Sequence, residues 1–227
     1  MGVTGGPDIV TDGLVLALDA GSKKSYPGSD TTWYDISGNN HDCTIYGNTT
    51  YSSAGLFDLG NVNNITNYIL VPDAVMNGIT DFTISFWVNP TNINQLSCIW
   101  HSTVGGGNDF SIEWYPTYIQ TLITTTYSTF SWTRTDGEWY NIVFFREGSS
   151  MGLYINGTSY GTKSCPTTTF NITGAIVMGQ EQDAVQGGFS ATQCYKGKYA
   201  SAMFYDKVLS GSEILQNYNS TKSRFGL

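Results

Sequence analysis

The sequence predicts an all-β protein, a sandwich of two packed antiparallel sheets with one short helix near the C-terminus. Three observations carry this. Charged residues are only 12% of the 227 positions, about half the usual ~25%, so surface helices laced with ion pairs are not expected. Their place is taken by 26 glycines, 15 tyrosines and an excess of Thr, Ser and Asn, residue types that suit strands and turns. Short apolar runs also recur along the chain between Gly, Asn, Pro and Ser clusters, as strands separated by turns do. The same composition excludes a helical bundle, a coiled coil and a charged disordered tail.

The elements follow in order. Residues 1–12 read as an N-terminal arm, rich in Gly around Pro7, and residues 13–227 as one domain. The arm has neither a basic start nor an apolar stretch, so it does not read as a secretory signal. Residues 14–18, Leu-Val-Leu-Ala-Leu, form a buried strand. Phe82, Ile84, Phe86 and Val88 alternate with Thr83, Ser85 and Trp87, the period of two that a strand requires. Residues 139–146 are apolar on both faces, which predicts a central strand covered on each side. Asn156-Gly157 between two apolar runs predicts a hairpin with a type I′ turn, because both turn residues need positive φ. Two later strands are expected at 175–178 and 200–205. Ser210-Gly-Ser-Glu213 is a capping box, and Leu209 with Ile214 forms a hydrophobic staple, so a helix should run over 211–218 and then fray.

Charge and motif content narrow the function. Ten basic residues oppose eighteen acidic ones, giving a net charge of −8 and no basic run longer than Lys23-Lys24. A nucleic-acid partner requires a basic footprint that is missing. No apolar run approaches the ~18 residues of a membrane-spanning helix. Cys43, Cys98, Cys165 and Cys194 match no zinc spacing and are expected as reduced thiols packed like small hydrophobes. His41 and His101 are expected as ordinary loop or strand residues, since no nucleophile elbow accompanies them. Gly105-Gly-Gly107 lacks the Gly-Lys-Ser/Thr that would make it a phosphate cradle.

Several segments look familiar. Gly179-Gln-Glu-Gln-Asp183 is followed by Gly187-Gly188-Phe189, Gln193, Lys196-Gly197-Lys198, Met203-Phe-Tyr-Asp206 and Leu209-Ser-Gly-Ser-Glu-Ile214. Together these resemble the pentraxins and the wider concanavalin A-like superfamily, laminin G-like domains especially. Asp81-Phe-Thr-Ile-Ser-Phe-Trp-Val88, Gly137-Glu-Trp-Tyr140 and Gly152-Leu-Tyr-Ile-Asn-Gly157 fit the same pattern in order. The opening, Gly13-Leu-Val-Leu-Ala-Leu-Asp-Ala20 with Thr32-Trp-Tyr-Asp-Ile-Ser-Gly38, is similar to laminin G-like proteins of tailed phages and marine viruses.

The resemblance implies a jelly-roll sandwich with one calcium site. Calcium takes six to eight oxygen ligands, and Glu181, Gln182 and Asp183 place two carboxylates and an amide within three residues. By the family pattern Gln182 ligates through its main-chain carbonyl, Gln193 returns as an amide oxygen, and Asn108 and Asp109 complete the set from an earlier loop. The structural alternative is a polar turn that keeps the family shape without metal. Ser190 stands where pentraxins carry a further carboxylate, so a second calcium is not expected. Ser85 stands where they carry one of a pair of cysteines, so that disulfide is not expected either.

Some members of the superfamily are glucanases. Retaining hydrolysis needs two carboxyl groups ~5–5.5 Å apart, and here Glu181-Gln-Asp183-Ala-Val-Gln186 ends in an amide that cannot transfer a proton, while Glu113 and Glu138 are isolated, with no matching partner. A non-enzymatic chain is expected. Two readings remain. One is a lectin for a cell-surface glycan, with Trp33, Trp114, Tyr115 and Tyr118 as candidate sugar platforms. The other is a structural virion protein, decorating a capsid or forming part of a tail, with other virion proteins or further copies of itself as partners. The two are compatible if a virion surface displays the module.

Overall fold

The structure is a computed structural model that describes residues 8–92, 95–102 and 110–227. In chain order the strands are β1 (Leu14–Asp19), β2 (Thr32–Trp33), β3 (Cys43–Tyr46), β4 (Thr50–Ser52), β5 (Leu56–Asp58), β6 (Tyr68–Pro72), β7 (Phe82–Pro90) and β8 (Ser97–Ser102). They continue as β9 (Phe110–Trp114), β10 (Tyr118–Ile123), β11 (Thr126–Ser131), β12 (Tyr140–Glu147), β13 (Ser150–Ile155), β14 (Thr158–Ser164), β15 (Ala175–Met178) and β16 (Gly197–Tyr205). The helix α1 spans Gly211–Thr221.

These strands build two antiparallel sheets. The first has the order β14-β13-β12-β7-β16-β5-β4, with β1 also paired to β16, and the second runs β11-β10-β9-β8-β15-β6-β3-β2. Both β1 and β5 use the same edge of β16, one pairing with 201–205 and the other with 198–199. The inward faces supply the main core. Phe82, Phe86, Phe144, Tyr199 and Phe204 of the first sheet meet Trp100, Phe110, Ile112, Trp114, Ile119 and Met178 of the second. Phe86 lies against Trp100 with ring centroids 5.8 Å apart, so aromatic contacts cross between the sheets.

The sequence pattern explains the strands nearest this core. β7 is buried along its entire length, since its inward residues face the second sheet and Trp87 on its outer side is covered by the C-terminal segment. The hairpin forms as expected, with Asn156 at φ 49° and Gly157 at φ 75°. β12 lies between β13 and β7. Its outward Val143 joins Met203, Tyr205, Leu209 and Ile214 in a second apolar cluster beneath the helix, which is why 139–146 reads as apolar on both faces. Ser210 caps α1, accepting from the Glu213 backbone, while Glu213 accepts from the Ser210 backbone at 2.7 Å.

The structure corrects the expected fraying. α1 continues three residues past 218 and then into a 3-10 turn over Lys222–Phe225. Trp87 Nε1 donates to Thr221 Oγ1 at 2.9 Å, and Phe225 stacks on the Trp87 ring at 4.0 Å, so tertiary contacts hold a tail whose local signals are weak. Residues 8–12 also dock. Val10 N–H donates to Asn217 Oδ1 at 2.8 Å, Tyr205 donates to the Val10 carbonyl at 3.0 Å, and Lys207 pairs with Asp12 at 2.7 Å. All four cysteines are buried and unpaired. Ser85 lies opposite Val143 of β12, so no disulfide joins β7 to β12.

Candidate functional site

The site lies on the outer face of the second sheet. Alternation along β9 turns Phe110, Ile112 and Trp114 into the core and leaves Ser111 and Glu113 outward. The register then aligns Cys98 of β8, Glu113 of β9, Gln120 of β10 and Thr129 of β11 in one row. A hydrogen-bond ladder runs along it. Ser111 Oγ donates to Glu113 Oε1 at 2.7 Å, Gln120 Nε2 donates to Glu113 Oε2 at 2.8 Å, and Thr129 Oγ1 donates to Gln120 Oε1 at 3.0 Å. Glu113 is only 4% exposed despite facing outward. Both of its oxygens accept, which holds the carboxyl group as an acceptor and leaves it badly placed to pass a proton to a substrate.

The segment after β15 folds beside β8. The Gln182 backbone N–H donates to His101 Nδ1 at 2.8 Å, and Gln182 Nε2 donates to the His101 carbonyl, also at 2.8 Å. The Gln182 side-chain oxygen accepts from the Gln186 backbone at 2.8 Å. Gln186 sits at φ 55° in a tight turn closed between Ala184 and Gly187. His101 is thus a buried strand residue whose Nδ1 accepts, and Glu181 Oε1 lies 3.8 Å from that nitrogen. The chain returns through Gln193, whose carbonyl accepts from the Cys98 backbone at 2.9 Å.

The charges of Glu113 and Glu181 reach the same neighbours. Burial, then Glu113, then Glu181 push the Cys98 thiol well above its ordinary pKa. The same order of causes raises the Tyr127 phenol. Burial foremost, with Glu113 and Tyr118 behind it, raises Tyr115 strongly. The carboxylates of Glu113 and Glu181 are the charged groups that Cys98 and Tyr127 share on this face.

The candidate residues distribute unevenly. Glu181, Gln182 and Gln193 are brought beside β8. Asp183 is exposed at the start of the tight turn, and Asn108 and Asp109 lie outside the described residues. The Gln182 side chain is buried and bonded at both ends of its amide, so only its main-chain carbonyl suits a metal. The set is all hard oxygen, as calcium prefers. Among the described residues no three His, Cys, Asp or Glu side chains gather closely enough to hold a metal ion. Trp33 and Trp114 are corrected as sugar platforms: both are 0% exposed, packed between the sheets by the hydrophobic term that buries large aromatics. Tyr115 and Tyr118 are half-buried and stack on each other with centroids 4.3 Å apart at the turn from β9 to β10.

The family model described as the concanavalin A-like lectin/glucanases superfamily matches residues 63–215. The chain belongs to this superfamily. It is similar to neuronal pentraxin-2 of Mus musculus, 27% identical over 158 residues that cover 64% of this chain and 35% of the relative. Human neuronal pentraxin-1 is 30% identical over 155 residues, with the same coverages. The chain thus spans about a third of the length of these curated relatives. Among solved structures, the fold is similar to the binding domain of botulinum neurotoxin DC in complex with SialylT, with a TM-score of 0.70 at 17% identity, covering 93% of this chain and 52% of that one. A heptameric SAP-like pentraxin from Limulus polyphemus gives a TM-score of 0.55 at 21% identity, covering 60% of this chain and 69% of that one. Sequence reasoning missed Gln120 and Thr129, and it set Glu113 aside as an isolated carboxylate. Their one signal was a glutamate and a glutamine at outward positions of otherwise apolar strands.

Proposed function

We propose that this chain is a non-enzymatic carbohydrate-binding module that works with one calcium ion and is displayed on a virion surface. The observation that carries the glycan reading is the outer face of the second sheet. Glu181, Thr129 and the half-exposed Tyr115–Tyr118 pair reach its surface over a buried ladder of Ser111, Glu113 and Gln120 that holds the face in shape, and these groups suit the hydroxyls and apolar ring faces of a sugar. The buried, doubly bonded Glu113 argues for binding over hydrolysis. Family membership supports the same reading, as does the neighbour studied with SialylT.

Glu181, Asp183, the Gln182 carbonyl and Gln193, together with Asn108 and Asp109, would hold the ion. When bound, calcium supplies positive charge and open coordination positions for sugar hydroxyls. The chain's own part is to fix the ligand loop: His101 of β8 bonds both the backbone N–H and the side chain of Gln182, the residue between Glu181 and Asp183. The virion placement rests on the likeness of the opening segment to phage laminin G-like proteins.

Melting curves test the metal. A ligand at ~100 times its Kd stabilises the folded state by ~2.7 kcal/mol, so calcium should raise the parent's melting temperature against chelator. Asp183→Asn should lose most of that rise and melt like the parent in chelator. An equal change in both conditions refutes the site. A broad glycan array in calcium tests the ligand, and a blank array refutes it. Copurification with particles at stoichiometric copy number tests placement, and recovery only as free protein refutes that.

A further inference from the structure

We propose a second, calcium-independent saccharide site on the outer face of the first sheet, at its β4–β5 edge. The proposal deepens the glycan-binding reading and rests on it. Strand register makes the floor. Thr50 of β4 lies opposite Asp58 of β5, Asp58 lies opposite Lys198 of β16, and Lys198 lies opposite Asn89 of β7. Phe57 and Tyr199, the neighbours of Asp58 and Lys198, point into the core, so alternation turns the polar row outward.

A cavity of about 370 Å3 opens over this row, lined by Asn48, Thr50, Asp58, Asn61, Thr91 and Lys198 with Gly60. That size falls within the ~300–1,000 Å3 of small-molecule sites. The rim is built from backbone already held in place. The Gly60 N–H donates to Asp58 Oδ1 at 2.8 Å, the Asn61 carbonyl accepts from Asn92 Nδ2 at 3.2 Å, the Asn48 N–H donates to Asn67 Oδ1 at 2.9 Å, and the Thr91 N–H donates to the Lys196 carbonyl at 2.9 Å. Such preorganisation lowers the ordering cost of binding.

The chemistry selects the ligand. Asp58 and Lys198 are cross-strand neighbours, a spacing at which opposite charges normally pair. Among the described residues no ion pair joins them, and both line the cavity. A phosphate or carboxylate ligand would be repelled by Asp58, and a cation by Lys198. An apolar ligand would strand both charges and the amide and hydroxyl groups around them. A neutral polyhydroxylated ring satisfies the set: one hydroxyl donates to the Asp58 carboxylate, its neighbour accepts from the Lys198 ammonium, and the Asn and Thr side chains take the remainder. This cavity and the loop carrying Glu181 and Asp183 belong to different sheets, so the two sites can be separated by mutation.

The test uses the full chain on an array of immobilised neutral saccharides: glucose, galactose, mannose, N-acetylglucosamine and lactose. Parent, Asp58→Asn, Lys198→Met and Asp183→Asn are compared in calcium and in chelator, with circular dichroism as the folding control. At least one saccharide should be retained by the parent in chelator. That signal should fall about tenfold or more in Asp58→Asn and in Lys198→Met, the loss expected for an unpaired charge–hydroxyl contact, and stay unchanged in Asp183→Asn. No retention in chelator overturns the second site, as does retention indifferent to both Asp58 and Lys198 in folded variants. Binding in calcium alone, abolished by Asp183→Asn, would leave the calcium-site reading standing while this one fails.

Discussion

Replacing Gln182 with Leu tests whether the ligand loop is fixed to β8 as described. Leucine keeps much of the side-chain volume, so the cavity contribution stays small and the lost hydrogen bonds dominate. Among the described residues it removes the bond from Gln182 Nε2 to the His101 carbonyl and the bond from the Gln186 N–H to Gln182 Oε1, each at 2.8 Å. Gln186 is exposed, so water replaces its partner at little cost. The His101 carbonyl belongs to a residue 4% exposed, and losing a hydrogen bond at such a site costs ~0.5–1.5 kcal/mol. The expected loss is therefore about 1 kcal/mol, or roughly 2–4 °C in melting temperature for a domain of this size. Gln182→Glu is the sharper variant, because it sets an acceptor against the His101 carbonyl and should cost at least as much near neutral pH. Near-UV circular dichroism follows the melt, and hydrogen exchange at Ala184, Val185 and Gln186 should quicken. If Gln182→Leu melts within about 1 °C of the parent, no more than the smallest penalty in that range, and exchange in 184–186 is unchanged, the clamp is wrong.

Other expectations follow from the same geometry. Ser210→Ala removes the helix cap and should cost about 1 kcal/mol in urea unfolding; a loss under a few tenths argues against the capping box. The Ser210 N–H, then the Ser210 hydroxyl and Lys207, hold the Glu213 carboxyl below its ordinary pKa. Its contribution is present above the ordinary carboxylate value of about 4.3 and is lost as pH falls through the lower folded value. The stability gap between parent and Glu213→Gln should therefore close on moving from about pH 7 to about pH 3, and a gap that widens contradicts the sign. Gly157→Ala places a side chain at φ 75° with a Cβ 3.0 Å from Tyr218 Cδ1, which should cost about 1–2 kcal/mol; unchanged urea midpoints would show that the hairpin relaxes. Arg146 is fully buried, donates through Nε to the Thr80 carbonyl and has no ion pair among the described residues. Arg146→Met keeps the bulk and removes a desolvated charge, so it should match or exceed the parent by up to about 1 kcal/mol, whereas a loss above ~2 kcal/mol would show that the guanidinium is stabilising.

Legibility from sequence tracked how local each signal was. The Asn156-Gly157 hairpin, the Ser210–Glu213 cap and the alternation of Phe82, Ile84 and Phe86 are written within a few residues, and each was readable. The ladder from Glu113 to Thr129 was not, because it exists only once β9, β10 and β11 are in register and a loop some seventy residues downstream in sequence lies beside β8. Trp33 and Trp114 carry no local mark of burial, since alternation alone does not say which face of a strand looks inward. The Lys222–Phe225 turn likewise owes its order to Trp87, which lies far away in sequence. The Glu181–Asp183 run was visible at once, yet its pinning by His101 depends on a contact that no spacing discloses.

The docking of residues 8–12 has a topological consequence. Gln216 Nε2 donates to the Asp8 carbonyl at 2.7 Å, and Ile9 and Phe225 line one cavity, so the first and last described stretches meet on one flank of the first sheet. The backbone is nearly a closed ring. A circular permutant that joins Leu227 to Asp8 by a short flexible linker, with new ends opened in the two-residue turn between β10 and β11, would preserve every strand pairing of both sheets. The fold in that sense depends on the cyclic order of its strands and is indifferent to which of them comes first.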